Sequence, residues 1–176
     1  MNIVKERQAI DAALDSYRKQ LDLLPCELFD TTPPTGGWSY AEVYDHIMKA
    51  SLGSSIALER CTHNNCPPTN KGVTFAGWYL LLMESFPPFK TKVPKSVAAK
   101  VAPRKIDKEE ARNLIIKTRK RIEGIAGLVK NAPAETRWQH PRMGMLNAQQ
   151  WFKFIRIHLQ HHLKQLDRIK NNFSKK

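Results

Sequence analysis

Three of the six histidines in the sequence lie within one short stretch, WFKFIRIHLQHHLKQL, which covers residues 151–166. His158 and His162 are four residues apart, so they share one face of a helix and can point at a common atom. Two neutral imidazoles at this spacing are a recurrent metal-binding pair. A third ligand must then come from elsewhere in the chain. The best candidate is His46, because three protein ligands and one open position are typical of a catalytic, zinc-like site.

His46 lies in a segment whose sequence predicts a helix. Ser39 and Glu42 form a capping-box pattern, in which the hydroxyl and the carboxylate each bind a free backbone N–H at the helix start. His46 follows Val43 by three residues and precedes Ala50 by four, which places it on the apolar side of this helix. The third histidine therefore belongs on the core side, about two turns from the helix start.

Four long segments carry apolar residues at steps of three and four, the pattern of amphipathic helices. They cover residues 2–24, 39–61, 107–129 and 147–171, with predicted loops at residues 25–38, 61–73 and 131–144. A shorter, strongly apolar helix is predicted over residues 74–86, in the long second connection. No segment shows the sustained alternation of a strand, so we expect no sheet. The sequence predicts an all-α four-helix bundle with one extra short helix in its second connection.

The length, the cysteine content and the N-terminal sequence limit the classes of protein to which this chain can belong. A chain of 176 residues predicts a single domain spanning residues 1–176. Three scattered cysteines do not make a secreted disulfide framework and favour a reducing compartment. The N-terminus lacks the apolar region of a signal peptide, and the longest apolar run, residues 75–83, is far shorter than a membrane span. We expect a cytoplasmic protein that does not enter a membrane.

The net charge of +13 raises the question of an anionic partner. Residues 87–106 contain no acid and six basic residues: Lys90, Lys92, Lys95, Lys100, Arg104 and Lys105. A basic tail, expected to be flexible, begins at about residue 171. These charges do not form one helical stripe with interleaved aromatic residues, and no nucleic-acid motif accompanies them. An ordinary lysine-rich surface is favoured over nucleic-acid binding, and the basic connection is a candidate for attracting a small anionic ligand.

The inward histidines also admit an ordinary structural interpretation, because a single core histidine is more often hydrogen bonded than metal bound. Three buried imidazoles without partners would be costly, however, whereas one metal ion would satisfy all three rings. Ligand histidines usually need an acceptor that fixes their tautomer. The candidates for this supporting role are Glu42, Gln165 and, at the rim, His161. His140 and His63 are predicted to lie in loops outside the site.

Two further features are candidates for chemistry. The loop CTHNNC at residues 61–66 could hold a metal, but it lacks a second pair of ligands, and an ordinary reduced loop is favoured. The short apolar helix could be core, a pocket lid or a dimer face. Its residues Trp78 and Tyr79, together with Trp151, are candidates for lining a substrate pocket.

Two groups of residues carry a resemblance to a known family. The first group is Trp38-Ser39, Glu42 and His46. The second group is His140-Pro141, Gly144, Asn147, Trp151, His158, His161, His162 and Gln165-Leu166. In this order they resemble the paired signatures of the DinB-like superfamily, especially its DinB_2-type members. The resemblance implies a four-helix bundle of up-down-down-up topology, often dimeric, that holds a divalent metal such as zinc or nickel.

Carried over residue by residue, the resemblance assigns the metal to His46, His158 and His162, the set that the spacing also favours. Some relatives transfer low-molecular-weight thiols, others are assigned only as metal-dependent hydrolases, and many have no known activity. We expect a metalloenzyme that activates a thiol or water against a small electrophilic substrate. The alternatives are a non-catalytic, stress-related metal-binding dimer and, less favoured, a nucleic-acid-binding protein.

Overall fold

Six α-helices and one β-hairpin form the computed structural model, which describes residues 1–86 and 102–174. The helices are α1 (Ile3–Leu23), α2 (Cys26–Phe29), α3 (Tyr40–Thr62), α4 (Phe75–Met83), α5 (Lys108–Ala126) and α6 (Ala148–Ser174). A 3₁₀ turn (Val129–Asn131) and the strands β1 (Arg137–His140) and β2 (Gly144–Asn147) lie between α5 and α6. The predicted four-helix bundle is confirmed, with α1, α3, α5 and α6 as its members and α4 as the extra short helix.

Side-chain caps fix where the long helices begin. The capping box predicted for α3 is present: the Ser39 hydroxyl accepts the Glu42 N–H, and the Glu42 carboxylate accepts the Ser39 N–H. The Asp107 carboxylate caps α5 in the same way. Asn147 and Gln150 exchange side chain–backbone hydrogen bonds at the start of α6. These caps fix the starts of both helices that carry the three inward histidines.

The bundle helices α1 and α5 run antiparallel, and so do α3 and α6. Asp22, near the end of α1, pairs with Arg112, near the start of α5. Tyr40, at the start of α3, stacks on Phe173, near the end of α6. The N-terminal half of α3 therefore meets the middle and the C-terminal half of α6, and the histidines lie in these parts of the two helices.

The other neighbouring helices run parallel. Glu59 and Arg121 pair near the ends of α3 and α5, whereas Glu6 and Arg156 pair in the N-terminal parts of α1 and α6. The directions of the four helices along the chain are therefore up-down-down-up, as expected. Because α3 and α5 point the same way, the connection between them must return along the bundle, and α4 forms part of that return.

A two-stranded antiparallel sheet precedes α6, where we predicted a loop and no sheet. β1 pairs with β2 from Arg137 opposite Asn147 to His140 opposite Gly144. Gly144 has a φ of +83°, a backbone conformation that side chains with a Cβ disfavour. The prediction of no sheet was wrong because strands of four residues are too short to show sustained alternation.

The turn of the hairpin is held against α4 by backbone contacts. The Thr74 hydroxyl donates to the Arg142 carbonyl oxygen, and the Thr74 N–H donates to the Met143 carbonyl oxygen. Gly77 lies so close to the turn that a Cβ there would come within 2.3 Å of the Met143 carbonyl oxygen. The close approach of the turn to α4 therefore requires a glycine at position 77.

The remaining differences from the sequence predictions concern the ends of elements. α2 lies inside the predicted loop at residues 25–38, and α4 ends at Met83 rather than residue 86. α6 continues to Ser174, so the tail predicted from residue 171 is helical up to that point. Most of the predicted basic connection, residues 87–101, lies outside the described residues. Within the described ranges, no helix is long and apolar enough to span a membrane.

Most apolar side chains of α4 face away from the bundle. Gly77 and Leu80 are buried, whereas Phe75, Trp78 and Leu82 are 69%, 52% and 59% exposed. The interpretation of this helix as plain core is therefore wrong for its outer side. The exposed side chains form an apolar surface beside the hairpin.

Arg156 connects three elements through two ion pairs, of which the pair with Glu6 is largely buried. Its guanidinium pairs with Glu6 of α1 at 2.6 Å and with Glu84, just after α4, at 2.7 Å. The side chains of Arg156 and Glu6 are only 9% and 13% exposed. Removal of the guanidinium would leave the Glu6 carboxylate charged and poorly hydrated, which is the costly way to break an ion pair.

We expect Arg156→Ala to lower the free energy of unfolding by about 3 kcal/mol. Arg119→Ala is the matched control, because Arg119 also bridges two acids, Asp11 and Asp15, but its side chain is 32% exposed. The control should lose at most about 1 kcal/mol. Urea unfolding of both variants measures the difference, and equal losses would show that burial does not set the strength of the Arg156 pairs.

Candidate metal centre

The bundle brings His46 on α3 together with His158 and His162 on α6. One ring nitrogen of each residue lies within 4.8 Å of those of the other two. The two histidines on α6 face each other directly, with 3.0 Å between their Nε2 atoms. Two ligands at about 2.05 Å from one tetrahedral ion are about 3.3 Å apart. The three rings, which the sequence placed on inward helix faces, are thus arranged so that they could hold one metal ion.

The rings are kept neutral by their surroundings. Burial is the main cause that lowers the pKa of His158, of His46 and of His162, the last to about 3. The neighbouring imidazoles lower the pKa of His158 and His162 further, because two charged rings at this distance would repel each other. Neutral imidazole is the form that binds metals, so the lowered pKa values favour the state in which these three rings could hold an ion.

Gln165 is placed to fix the tautomer of His162. Its Oε1 lies 2.7 Å from Nδ1 of His162, so an Nδ1–H donor leaves the lone pair on Nε2, the atom that faces His158. The Nδ1 atom of His158 is buried and has no hydrogen-bond partner among the described residues. The Glu42 carboxylate bonds to Ser39 at the helix start and makes no hydrogen bond to His46 among the contacts of the described residues.

Aromatic rings surround the three histidines. Trp38 stacks almost parallel to the His162 ring at 6.5 Å and lies 5.0 Å from the His46 ring, measured between centroids. Phe86 covers the other side, at 5.4 Å from the His158 ring and 4.6 Å from the His161 ring. His161 is thus at the rim, half-buried between Phe86 and solvent, as the sequence suggested. The aromatic surroundings account for the desolvation of the cluster.

A cavity of about 690 Å³ opens beside His46 and His158. It is bounded by α3, by the hairpin, by the N-terminal half of α6 and by the residues that flank the basic connection. Among the residues that line it are Asp45, Lys49, Arg104, Trp138, His140, Arg142, Trp151 and Phe154. A single ion held by the histidines would therefore have a space for a small ligand on one side.

Of the three predicted pocket residues, the cavity lining includes only Trp151. Trp78 and Tyr79 do not line it, because α4 turns this part of its surface away from the bundle, and Trp78 is 52% exposed. The pocket prediction was therefore wrong for these two residues. An apolar helix with little amphipathic asymmetry gave no indication of which side it would bury.

His140 lies in the cavity wall, although the sequence placed it outside the site. Its ring lies 5.3 Å from the Trp151 ring and 4.6 Å from the Phe154 ring, measured between centroids. Its Nδ1 accepts the backbone N–H groups of Arg142 and Met143, both at 3.1 Å. Burial lowers the pKa of His140 to about 4, and the Arg142 charge adds to this effect. The only sequence signal was the resemblance itself, which included His140-Pro141.

The CTHNNC loop does not gather a set of metal ligands. The sulfur atoms of Cys61 and Cys66 lie 3.8 Å apart, while His63 is exposed. Burial raises the pKa of the Cys61 thiol to about 12, which disfavours the thiolate that a metal would bind. Among the described residues, the histidine cluster of α3 and α6 is the one group of ligand atoms close enough to hold an ion.

The lowered pKa of His140 predicts a pH dependence of stability. With a pKa of about 4 in the folded state against 6.5 as its ordinary value, the unfolded chain binds more protons at pH values between these two. The free energy of unfolding should therefore fall as pH is lowered from 7 to 4. His140→Asn, which retains an acceptor near the Nδ1 position, should make this fall shallower.

The measurement is urea unfolding of chelator-treated protein at a series of pH values. His63→Asn is the control, because His63 lies exposed in a loop and its removal should leave the pH dependence unchanged. Parallel curves for wild type and His140→Asn would show that burial of His140 does not contribute.

Comparison with solved structures places the fold among four-helix bundles. YfiT from Bacillus subtilis, described as a probable metal-dependent hydrolase with an unusual four-helix bundle topology, has a TM-score of 0.65 at 13% identity. The match covers 98% of this chain and 87% of that chain. TT2238, described as a four-helix bundle protein, has a TM-score of 0.54 at 14% identity, with 95% and 99% of the two chains covered.

Comparison at the level of sequence identifies the family. No curated protein matches the sequence. The family model described as the DinB superfamily, DinB_2, matches residues 9–166, a span that runs from α1 into α6 and includes all three clustered histidines and the hairpin. The chain therefore belongs to the DinB superfamily.

Proposed function

We propose that the protein is a metal-dependent enzyme in which His46, His158 and His162 hold one divalent ion. The observation that carries this proposal is the meeting of three imidazoles, one buried and two half-buried, with ligand atoms within 4.8 Å of one another, at the wall of a cavity. Three imidazoles leave a coordination position free, as catalytic zinc sites do. A purely structural site would be closed by a fourth protein ligand.

Each residue of the cluster has a defined task in this proposal. The three imidazoles donate lone pairs, and Gln165 holds the Nδ1 proton of His162 so that Nε2 is available. When bound, the ion would lower the pKa of a water to about 7 or stabilise a thiolate at neutral pH. Trp38 and Phe86 exclude bulk water from the rings, which keeps the ligands neutral.

The chemistry of the ligand set favours zinc or nickel. Imidazole nitrogen suits zinc, copper, iron and nickel, whereas magnesium and calcium prefer oxygen ligands. The description of the structurally similar YfiT as a probable metal-dependent hydrolase supports the same class of function. The reaction would be hydrolysis of a small electrophilic substrate, or its conjugation with a low-molecular-weight thiol.

The size of the cavity supports a small-molecule substrate. Ligand pockets in proteins have volumes of roughly 300–1,000 Å³, and the cavity here holds about 690 Å³. Apolar rings from Trp138, Trp151 and Phe154 line it together with a few polar groups. This composition is typical of sites that bind organic molecules rather than bare ions or polymers.

A second candidate is a non-catalytic, metal-binding homodimer. It is favoured by the exposed apolar surface of α4, where Phe75 and Trp78 stack on each other at 6.1 Å and remain mostly accessible. Such a surface is a common feature of protein–protein contacts. In this case the metal would stabilise the bundle, and the cavity would have no catalytic use.

The metal site makes a direct prediction. Wild-type protein, dialysed against zinc or nickel and then freed of excess ion, should retain one ion per chain. His158→Ala and His162→Ala should each bind the ion at least about 100-fold more weakly. Metal analysis and competition with a chromogenic chelator measure these quantities.

His161→Ala is the matched control, because His161 lies next to His162 but points toward Phe86. It should retain the metal with wild-type stoichiometry and nearly wild-type affinity. A wild-type protein that is folded but binds no ion, or a His161 variant that loses the ion as completely as the other two, would contradict the proposed ligand set.

Turnover separates the catalytic proposal from the non-catalytic dimer. We expect metal-loaded protein to hydrolyse p-nitrophenyl acetate, or to conjugate glutathione with 1-chloro-2,4-dinitrobenzene, at a rate that a chelator abolishes and added zinc or nickel restores. His158→Ala should show the background rate because it lacks one of the proposed ligands. Metal-dependent stability without metal-dependent turnover in either assay would favour the non-catalytic dimer.

A further inference from the structure

Arg142 is a cation in the cavity wall whose charge has no acidic partner among the described residues. Other charged residues of the lining are compensated: Lys49 pairs with Asp45, and the Arg104 guanidinium pairs with Glu110. No salt bridge of the described residues includes Arg142, although its Nε atom is buried. Residues 87–101, which lie outside the described ranges, contain no aspartate or glutamate. The positive charge of Arg142 therefore remains available to a ligand.

Two further N–H donors belong to residues of the same cavity wall, Trp151 and His140. The indole Nε1 of Trp151 is buried and has no acceptor among the described residues, although the Trp151 side chain is only 3% exposed. His140 accepts two backbone N–H groups at Nδ1, which leaves its proton on Nε2. The rings of His140 and Trp151 lie 5.3 Å apart. A buried donor without an acceptor destabilises the folded protein. We therefore expect these donors to bind an acceptor, and the positive charge of Arg142 favours an anionic one.

We propose that this cluster binds the carboxylate group of the ligand that occupies the cavity. A carboxylate offers two oxygens, which match the paired N–H groups of a guanidinium and can also accept from a neighbouring indole. The inference rests on the function proposed above, because it names the class of ligand for the same site. Arg142 and Trp151 act here as binding residues of the cavity and are not among the proposed metal ligands.

The ring of Phe154 sets the direction of the bound ligand. It lies 4.6 Å from the His140 ring on one side and 5.1 Å from the His158 ring on the other. A ligand anchored by its carboxylate at Arg142 would extend over this apolar ring toward the histidine cluster. The site therefore selects carboxylic acids with an apolar or aromatic body and a reacting group at the far end.

The hairpin positions the anchor rigidly. The carbonyl oxygen of Arg142 accepts the Thr74 hydroxyl, and the next carbonyl along the chain, that of Met143, accepts the Thr74 N–H. The backbone N–H of Arg142 is bound by His140. Both the N–H and the carbonyl of Arg142 are thus held by hydrogen bonds. Its side chain therefore lines the cavity from a backbone position that is fixed.

Benzoate and benzamide form a matched pair of probes, since they share shape and differ in charge. We expect metal-free wild-type protein to bind benzoate at least about tenfold more tightly than benzamide. In ¹H–¹⁵N spectra, benzoate should shift the indole Nε1–H peak of Trp151 downfield. That peak is assigned by its loss in Trp151→Phe, which keeps a packing ring and should weaken benzoate binding.

Arg142→Gln should abolish the preference for benzoate. Arg137→Gln is the control: it removes one positive charge from the same hairpin, but Arg137 donates to the Lys71 carbonyl oxygen and does not line the cavity. It should keep the wild-type preference. If Arg142→Gln fails to fold by circular dichroism, Arg142→Lys retains the charge without the planar fork and should weaken benzoate binding several-fold.

Equal affinity for both probes, binding of neither, or a full preference retained by the Arg142 variants would overturn the assignment. The outcome is separable from that of the metal proposal. Arg142→Gln should retain the ion, and a protein that binds no ion would refute the metal site while leaving the benzoate preference intact.

Discussion

Burial of three imidazoles in one space between α3 and α6 is the constraint on which the rest of the structure depends. Desolvation and mutual repulsion lower the pKa of His158 and His162, which favours the neutral form of both rings. Apolar side chains could fill the same volume at lower cost. The bundle thus holds three imidazoles that its own packing does not require and that could bind a metal ion.

The up-down-down-up topology brings these residues together. Because α3 and α6 run antiparallel, a histidine near the start of α3 meets two in the middle of α6. Because α3 and α5 run parallel, the connection between them returns along the bundle and carries α4 to the hairpin. The close approach of Gly77 to the Met143 carbonyl fixes the turn that bears Arg142. Bundle and hairpin then share one cavity, which is lined by His46 and His158 from the bundle and by Arg142 from the hairpin.

Much of this arrangement could be predicted from local patterns. The 3–4 spacing of apolar residues marked the four helices, and the Ser39–Glu42 capping box fixed the start of α3, so that His46 could be placed on its inner side. The hairpin could not be predicted, since four-residue strands carry too little pattern. Trp78 was predicted to line the substrate pocket but does not line the cavity. An evenly apolar helix gives no indication of which of its faces is buried. Arg142 and His140 depend on the geometry of the turn, which no periodicity in the sequence reveals.

Crystallography of zinc-loaded protein, with anomalous difference maps recorded on both sides of the zinc absorption edge, tests the central claim most directly. We expect one peak per chain, bonded to Nε2 of His158, Nε2 of His162 and one ring nitrogen of His46, with the remaining position open to the cavity. The absence of a peak between these rings, or a peak at Cys61 and Cys66 instead, would contradict the assignment of His46, His158 and His162 as the metal ligands.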